Sequence, residues 1–262
     1  MDLQLKGKRA LVTGASSGLG YATARGLALE GASVVINSRS QDNLLAAADT
    51  IGQESGMEVF AAAGDVADPE FPAKLVEETV AKLDGLDILI TNAGGPPTGA
   101  FEAHNEATWQ KAIDLSFMSH VRLIRAALPH LRQSDAASVL TITSITVKQP
   151  IDNLILSNSV RAATVGLTKS LSLEVADGIR FNSILPSWTQ TERVEKLLAD
   201  RSQRNGTTRE QEIEKQNQQS ALGRMATPQE FANAAAFLLS PAASYITGVM
   251  LTVDGGSYKG TF

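Results

Sequence analysis

The stretch LVTGASSGLG, residues 11–20, decides how this chain is to be read. A short apolar run ends at Thr13, glycines follow at Gly14, Gly18 and Gly20, and an Ala/Leu-rich segment of helical period opens at Gly18. Strand, glycine loop and helix in this order make a cradle for a dinucleotide. Small residues let the backbone turn sharply and approach a pyrophosphate. The helix N-terminus offers free N–H groups and the positive end of its dipole. The spacing G-x-x-x-G-x-G is weak evidence alone and strong evidence between a strand and a helix.

Working outward, β-branched runs alternate with helical ones. Strands are expected over 8–13, 33–37, 59–62, 86–91, 138–143, 179–185 and 250–253. Helices are expected over 18–30, 41–52, 69–83, 108–132, 157–175 and 228–239. This rhythm implies a doubly wound, seven-stranded parallel sheet with helices on both faces, and a ligand cleft beyond the carboxyl ends of the strands. With 262 residues, 43% of them hydrophobic, and no linker or repeat, one domain spanning 1–262 is expected. Residues 191–224 break the rhythm with the polar run ADRSQRNGTTREQEIEKQNQQS. Such a run reads either as a solvated helix pair or as a lid over the substrate cleft. Its place directly after a strand end favours the lid.

Composition closes off other classes. The net charge of −5 argues against nucleic acid or an anionic membrane as the main partner. With no cysteine there is no disulfide, thiolate nucleophile or Cys-ligated zinc. His104, His120 and His130 are too widely spaced for a metal site. No apolar run is long enough to span a bilayer, no signal-peptide core precedes the first strand, and the cytoplasm is the default expectation.

At this point the chain resembles the classical short-chain dehydrogenases/reductases, near their β-ketoacyl-carrier-protein-reductase-like branch. The resemblance covers nearly the whole chain. The family's TGxxxGxG is matched by Thr13–Gly20, with Ser16, Ser17 and Leu19 inside it. Asp65 and Val66 in GDV match its adenine contact. TNAG, with Asn92, Ala93 and Gly94, matches NNAG except for Thr91. Pro186-Ser187 departs from the family's Pro-Gly turn, and Thr189 and Thr191 match positions holding the carboxamide and phosphates. The resemblance implies a Rossmann-type oxidoreductase fold. It also implies a homotetramer, with a dimer as fallback, in which Ala126, Ala127, Ala162 and Ala163 allow close helix packing. The end of the second strand, INSRS, selects the cofactor. An acidic residue there would hold the ribose 2′-hydroxyl of NAD, whereas Ser38 and Arg39 suit a 2′-phosphate, so NADP(H) is expected.

The family places a Tyr and a Lys one helical turn apart, a Ser at the preceding strand end and an Asn on the fourth helix. TITSI supplies Ser144. Thirteen residues on lies Ser157, and four further lies Arg161, in a helix that otherwise fits without a gap. Ser116 takes the Asn slot, and none of Tyr21, Tyr245 and Tyr258 can be shifted into the Tyr slot. A guanidinium is too weak an acid to donate a proton near neutral pH and a serine hydroxyl is little better. General acid catalysis contributes roughly 10²–10⁴-fold, while orientation supplies more, so reduction can survive with water as proton source.

The expected function is therefore NADP(H)-dependent reduction of a carbonyl on a small or carrier-bound keto compound, with water-assisted protonation. The alternatives are reduction of an activated C=C bond and a non-catalytic NADP-binding protein. In each Arg161 would hold the nicotinamide ribose. Lys148 reads as a surface lysine or a cleft cation, His104 as a loop residue near substrate, Trp188 as a substrate contact or lid packing, and His120 as a core or interface residue.

Overall fold

The computed structural model describes residues 1–175 and 177–261. Seven strands form one parallel sheet in the order β3-β2-β1-β4-β5-β6-β7. They are β1 (Arg9–Val12), β2 (Ser33–Ser38), β3 (Val59–Ala63), β4 (Ile88–Thr91), β5 (Ser138–Ile142), β6 (Arg180–Pro186) and β7 (Met250–Val253). The central strands are covered on both faces, which is why they read as unbroken apolar runs rather than alternating ones. The doubly wound sheet expected from the sequence is the fold observed. The chain reverses direction across the sheet between β1 and β4, whose register pairs Ala10 with Ile88 and Val12 with Ile90. A ligand crevice opens at such a reversal.

One face carries α1 (Gly18–Leu29), α2 (Gln41–Ser55) and α9 (Pro228–Leu239), packed around Leu27, Leu44, Ile51 and Phe231. Gly26 of α1 faces Ala232 of α9, whose methyl stands 3.7 Å from where a Cβ would be, an ordinary contact distance. The other face carries α3 (Phe71–Leu83) and α5 (Ser119–Leu131), packed around Leu75, Leu123, Leu131 and Phe181. Helix α6 (Ile155–Glu174) lies beside β5 and β6. Helices α7 (Glu192–Asn205) and α8 (Arg209–Gln219) form a pair over the strand ends, joined through Gly206 in the left-handed region at φ 63°.

Two expectations change. The single helix over 108–132 is instead α4 (Glu106–Ile113), one π-helical stretch Asp114–Met118, and α5. The wide turn persists because its loosened carbonyl finds another donor: Thr164 Oγ1 on α6 donates to the Ser116 carbonyl oxygen at 2.7 Å. Ala127 is fully buried in the core and gives no small-residue surface, whereas Ala162 and Ala163 are exposed. Among the described residues no helix is long and apolar enough to cross a membrane.

Candidate functional site

A cleft of about 290 Å³ opens where β1, β4, β5 and β6 end. The glycine loop forms its floor. Gly14 lies at φ +60°, and a Cβ there would stand 2.7 Å from Asn92 Nδ2. A Cβ on Gly20 would stand 2.2 Å from the Gly14 carbonyl oxygen. Both glycines are thus required for backbone to pass this close to backbone. Asn92 locks the loop to β4: its Nδ2 donates to the Gly14 carbonyl at 3.1 Å, and its backbone N–H donates to Thr13 Oγ1 at 2.9 Å.

Gly14, Ser17, Gly18 and Leu19 line the cleft with Asn92, Ala93, Gly94, Ser144, Ser157, Arg161, Pro186, Thr189 and Thr191. Five sequence candidates stand at the rim or beyond. Ser38 and Arg39 close β2, with Ser38 partly buried and Arg39 exposed. Asp65 accepts the Ala67 backbone N–H at 3.0 Å, and Val66 is buried in the second core. Ser16 is partly buried outside the cleft wall. Ser116 is set apart: it is 1% exposed beneath α6, within the π stretch, and its Oγ has no hydrogen-bond partner among the described residues.

Ser144 and Ser157 are joined through Thr146, a residue the sequence reading passed over. Ser144 Oγ accepts the Thr146 backbone N–H at 3.2 Å, and the Thr146 and Ser157 hydroxyls lie 3.1 Å apart. Because Ser144 accepts in this contact, its own O–H is free to donate into the cleft. Thr143 Oγ1, also at the cleft wall, is buried without a hydrogen-bond partner among the described residues.

Arg161 is not arranged as the sequence reading expected. Its guanidinium is tied to backbone. Nη1 donates to the carbonyls of Ile142 at 3.2 Å and Thr143 at 2.8 Å, and Nη2 to that of Ala93 at 3.4 Å. The side chain braces the ends of β4 and β5 and presents only its remaining N–H groups to the cleft. Burial, then the nearby Arg193 charge, lowers its pKa to about 10. It remains a cation at neutral pH. Arg193, at the start of α7, donates to the Pro96 carbonyl at 2.9 Å and closes the opposite wall. The residues lining the cleft include these two guanidiniums and no Asp, Glu, His, Lys or Tyr. The spacing signal for Arg193, a base two residues past Thr191, was present in the sequence but has no motif to mark it.

The remaining candidates resolve by contact. His120 is buried, Nδ1 lying 2.6 Å from Thr91 Oγ1, and burial followed by the Arg161 charge holds its pKa at about 3. Trp188 packs under α7 against the Arg201 guanidinium, 4.6 Å from the ring centroid. The Lys148 ammonium sits 5.3 Å above the Tyr258 ring and is absent from the cleft wall. His104 lies against Gly99, its buried Nε2 without a hydrogen-bond partner among the described residues. Among the described residues no cluster of three or more metal-ligating side chains occurs.

Comparison with known proteins agrees with this geometry. The family described as Enoyl-(Acyl carrier protein) reductase matches residues 14–258. Tropinone reductase-like 3 from Erythroxylum coca is 35% identical, over 97% of this chain and 94% of its own. Among solved structures, L-sorbose reductase from Gluconobacter frateurii, complexed with NADPH and L-sorbose, superposes with a TM-score of 0.94 at 34% identity, over 99% of this chain and 100% of that one. A 7α-hydroxysteroid dehydrogenase complexed with NADH and 7-oxo glycochenodeoxycholic acid superposes at 0.89 and 32%, over 100% and 98%. Glycine loop, sheet order and relatives converge, and the chain belongs to the short-chain dehydrogenase/reductase family.

Proposed function

We propose that this oxidoreductase is an NADPH-dependent reductase of a carbonyl on a small or carrier-bound keto compound. In this reading it is a divergent family member whose Tyr and Lys slots hold Ser157 and Arg161. The observation that carries the reading is a cofactor cradle with every close backbone contact kept, above a reaction site whose walls hold no acid able to titrate near neutral pH. A chain that had lost its nucleotide would have no need to keep Gly20 against Gly14. Arg39, exposed beside Ser38 with no carboxylate in that slot, would take a 2′-phosphate. Relatives with NADPH and with NADH are both known, so this end of β2 makes the choice.

The glycine loop, Asn92, Thr189 and Thr191 would hold the cofactor, which would supply hydride chemistry when bound. Ser144 would hydrogen-bond to the substrate carbonyl oxygen through its O–H, which it keeps. Ser157 and Thr146 would hold the water that gives up the one proton the reduced oxygen takes. Arg161 keeps the strand ends of the site rigid and sets a positive field that favours developing negative charge on oxygen. Arg193 and Leu197 on α7 cover the cleft, so α7 and α8 act as its lid. The whole chain works as one domain, in the cytoplasm, and assembles as a homotetramer or dimer through the face bearing Ala162 and Ala163.

The same acid-free wall favours a second reading, reduction of an activated C=C bond. Hydride addition there leaves an enolate that solvent protonates after the fact. Fluorescence titration with NADPH and NADH tests the cofactor assignment, and tighter NADH binding refutes it. A panel of ketones, ketoesters and enones, followed by NADPH absorbance, separates the two reactions. Tight NADPH binding with no turnover across the panel leaves the non-catalytic reading standing.

A further inference from the structure

Beside the cofactor cleft lies a second cavity of about 430 Å³. It abuts the first at Ser187, which lines both, and at Ile145, the residue after Ser144. Its roof is α7 of the lid, its floor the Ser187–Trp188 turn, and its outer wall the chain end at Ser257 and Lys259. The chain end is pinned there: the Lys259 backbone N–H donates to Gln149 Oε1 at 3.4 Å, and the Lys148 ammonium lies over the Tyr258 ring.

Arg201 reaches into this cavity in an unusual state. Its guanidinium lies 4.6 Å from the Trp188 ring centroid, half-buried, with no hydrogen bond or ion pair to any described residue. The other arginines of the lid differ. Arg193 donates to Pro96, Arg204 to the Asp200 carbonyl at 3.3 Å, and Arg209 pairs with Glu195. A guanidinium placed over an aromatic ring keeps its N–H donors, and its planar fork suits a two-oxygen acceptor. Burial holds its pKa below the ordinary arginine value, the strongest influence on it, while the pull of Asp152, the cavity's one lining acid, is the weakest. The cavity wall thus carries two basic residues, Arg201 and Lys259, and one acid, Asp152, with no ion pair between them, while Glu212 on α8 acts on Arg201 from outside this lining.

We infer that Arg201 and Lys259 form a subsite for an oxyanion, a carboxylate or phosphate carried by the substrate beyond its reducible group. This rests on the reductase reading and narrows it to acidic substrates. A hydride acceptor seated at Ser144 would extend past Ser187 to lay its oxyanion on the guanidinium fork. Closing the lid would then bring Arg201 and the substrate together, so binding of the charged end and covering of the reacting end are one event.

Trp188 is a built-in reporter, and Trp109→Phe makes it the chain's sole tryptophan, the sequence having two. In that background, emission is titrated with glutarate, with inorganic phosphate and with glutaramide, which matches glutarate in shape but is neutral. The expected result is a saturable change with one or both anions and none with glutaramide. The stronger anion identifies the source as carboxylate or phosphate. Arg201→Gln should weaken anion binding by about 10- to 100-fold, the worth of a charged hydrogen-bonded contact. Arg201→Lys, keeping charge but not the fork, should recover part of it. An equal response to glutaramide, affinity in Arg201→Gln within about twofold of the parent (the range of an exposed ion pair), or an Arg201→Lys as weak as Arg201→Gln overturns the subsite. If anions bind but no carbonyl or enone compound oxidises NADPH, the subsite stands and the reductase reading falls. If keto compounds turn over while anions leave Trp188 unchanged, the reverse holds.

Discussion

Arg161 Nη1 donates to the Thr143 carbonyl oxygen at 2.8 Å, so the cation on α6 is a brace across the strand ends before it is anything else. Lysine has one donor head and a narrower reach, and it cannot bridge β4 and β5 together. Arg161→Lys should therefore cost stability, about 1–3 kcal/mol for carbonyls left buried without donors, and loosen the cofactor as well. Thermal unfolding with and without NADPH checks this. A variant that melts with the parent would show that the brace carries no weight.

His120 gives the fold an acid limit. Its pKa is about 3 in the folded protein, against about 6.5 when exposed to water. As pH falls through 6.5 the unfolded chain takes up a proton that the folded chain refuses. Stability from this residue is therefore complete above pH 6.5 and declines by up to about 1.4 kcal/mol per pH unit down to about pH 3. Urea unfolding at several pH values should show a shallower decline in His120→Asn than in the parent. Parallel declines would contradict the assignment.

The proposed preference for NADPH rests on one side chain. Arg39→Ala should weaken NADPH binding by about 10- to 100-fold, as expected for removing a charge-assisted phosphate contact, and leave NADH binding nearly unchanged. Both affinities can be read from cofactor fluorescence. A parallel loss for the two cofactors would place Arg39 outside the phosphate site.

The α7–α8 pair, proposed as the lid, is held by a buried carboxylate. Glu212 is 2% exposed and accepts from Thr207 at 2.7 Å, Lys215 at 2.9 Å and Asn205 at 3.2 Å, which together hold its pKa at about 2. The clamp is complete above the ordinary carboxylate range and lost only as pH falls towards 2. Glu212→Ala should speed amide hydrogen exchange across 205–219 and raise KM more than it lowers kcat. Unchanged exchange in that segment would remove Glu212 from the lid's support.

The strand order and the cofactor cradle were legible because they rest on local rules: apolar runs that make buried strands, and glycines at spacings only a tight loop requires. Ser144, Ser157 and Arg161 were placed at the cleft by register alone, and they line it. What Arg161 does there was not legible, since its partners Ile142, Thr143 and Ala93 are backbone atoms that any sequence possesses. The link through Thr146, the approach of Arg201 to Trp188 and the burial of Ala127 are likewise products of tertiary packing. A polar lid segment reads as surface in sequence because its few inward contacts, Val194, Leu198 and Ile213 against Trp188 and Met225, are sparse among charges.

The wide turn at Asp114–Met118 sets a rule of length rather than of letters. It holds one residue more than an α-helical turn would. Deleting one residue of that stretch would restore regular helix, since four α-helical residues turn through about 400° and five π-helical ones through nearly the same angle, so Ala112 would keep its packing against Leu156 and Val160. What would go is the loosened carbonyl: Ser116 would bond within the helix and Thr164 Oγ1 would lose its acceptor. Deleting a residue between Asn105 and Ile113, outside the stretch, would instead turn the chain before it by about 100°.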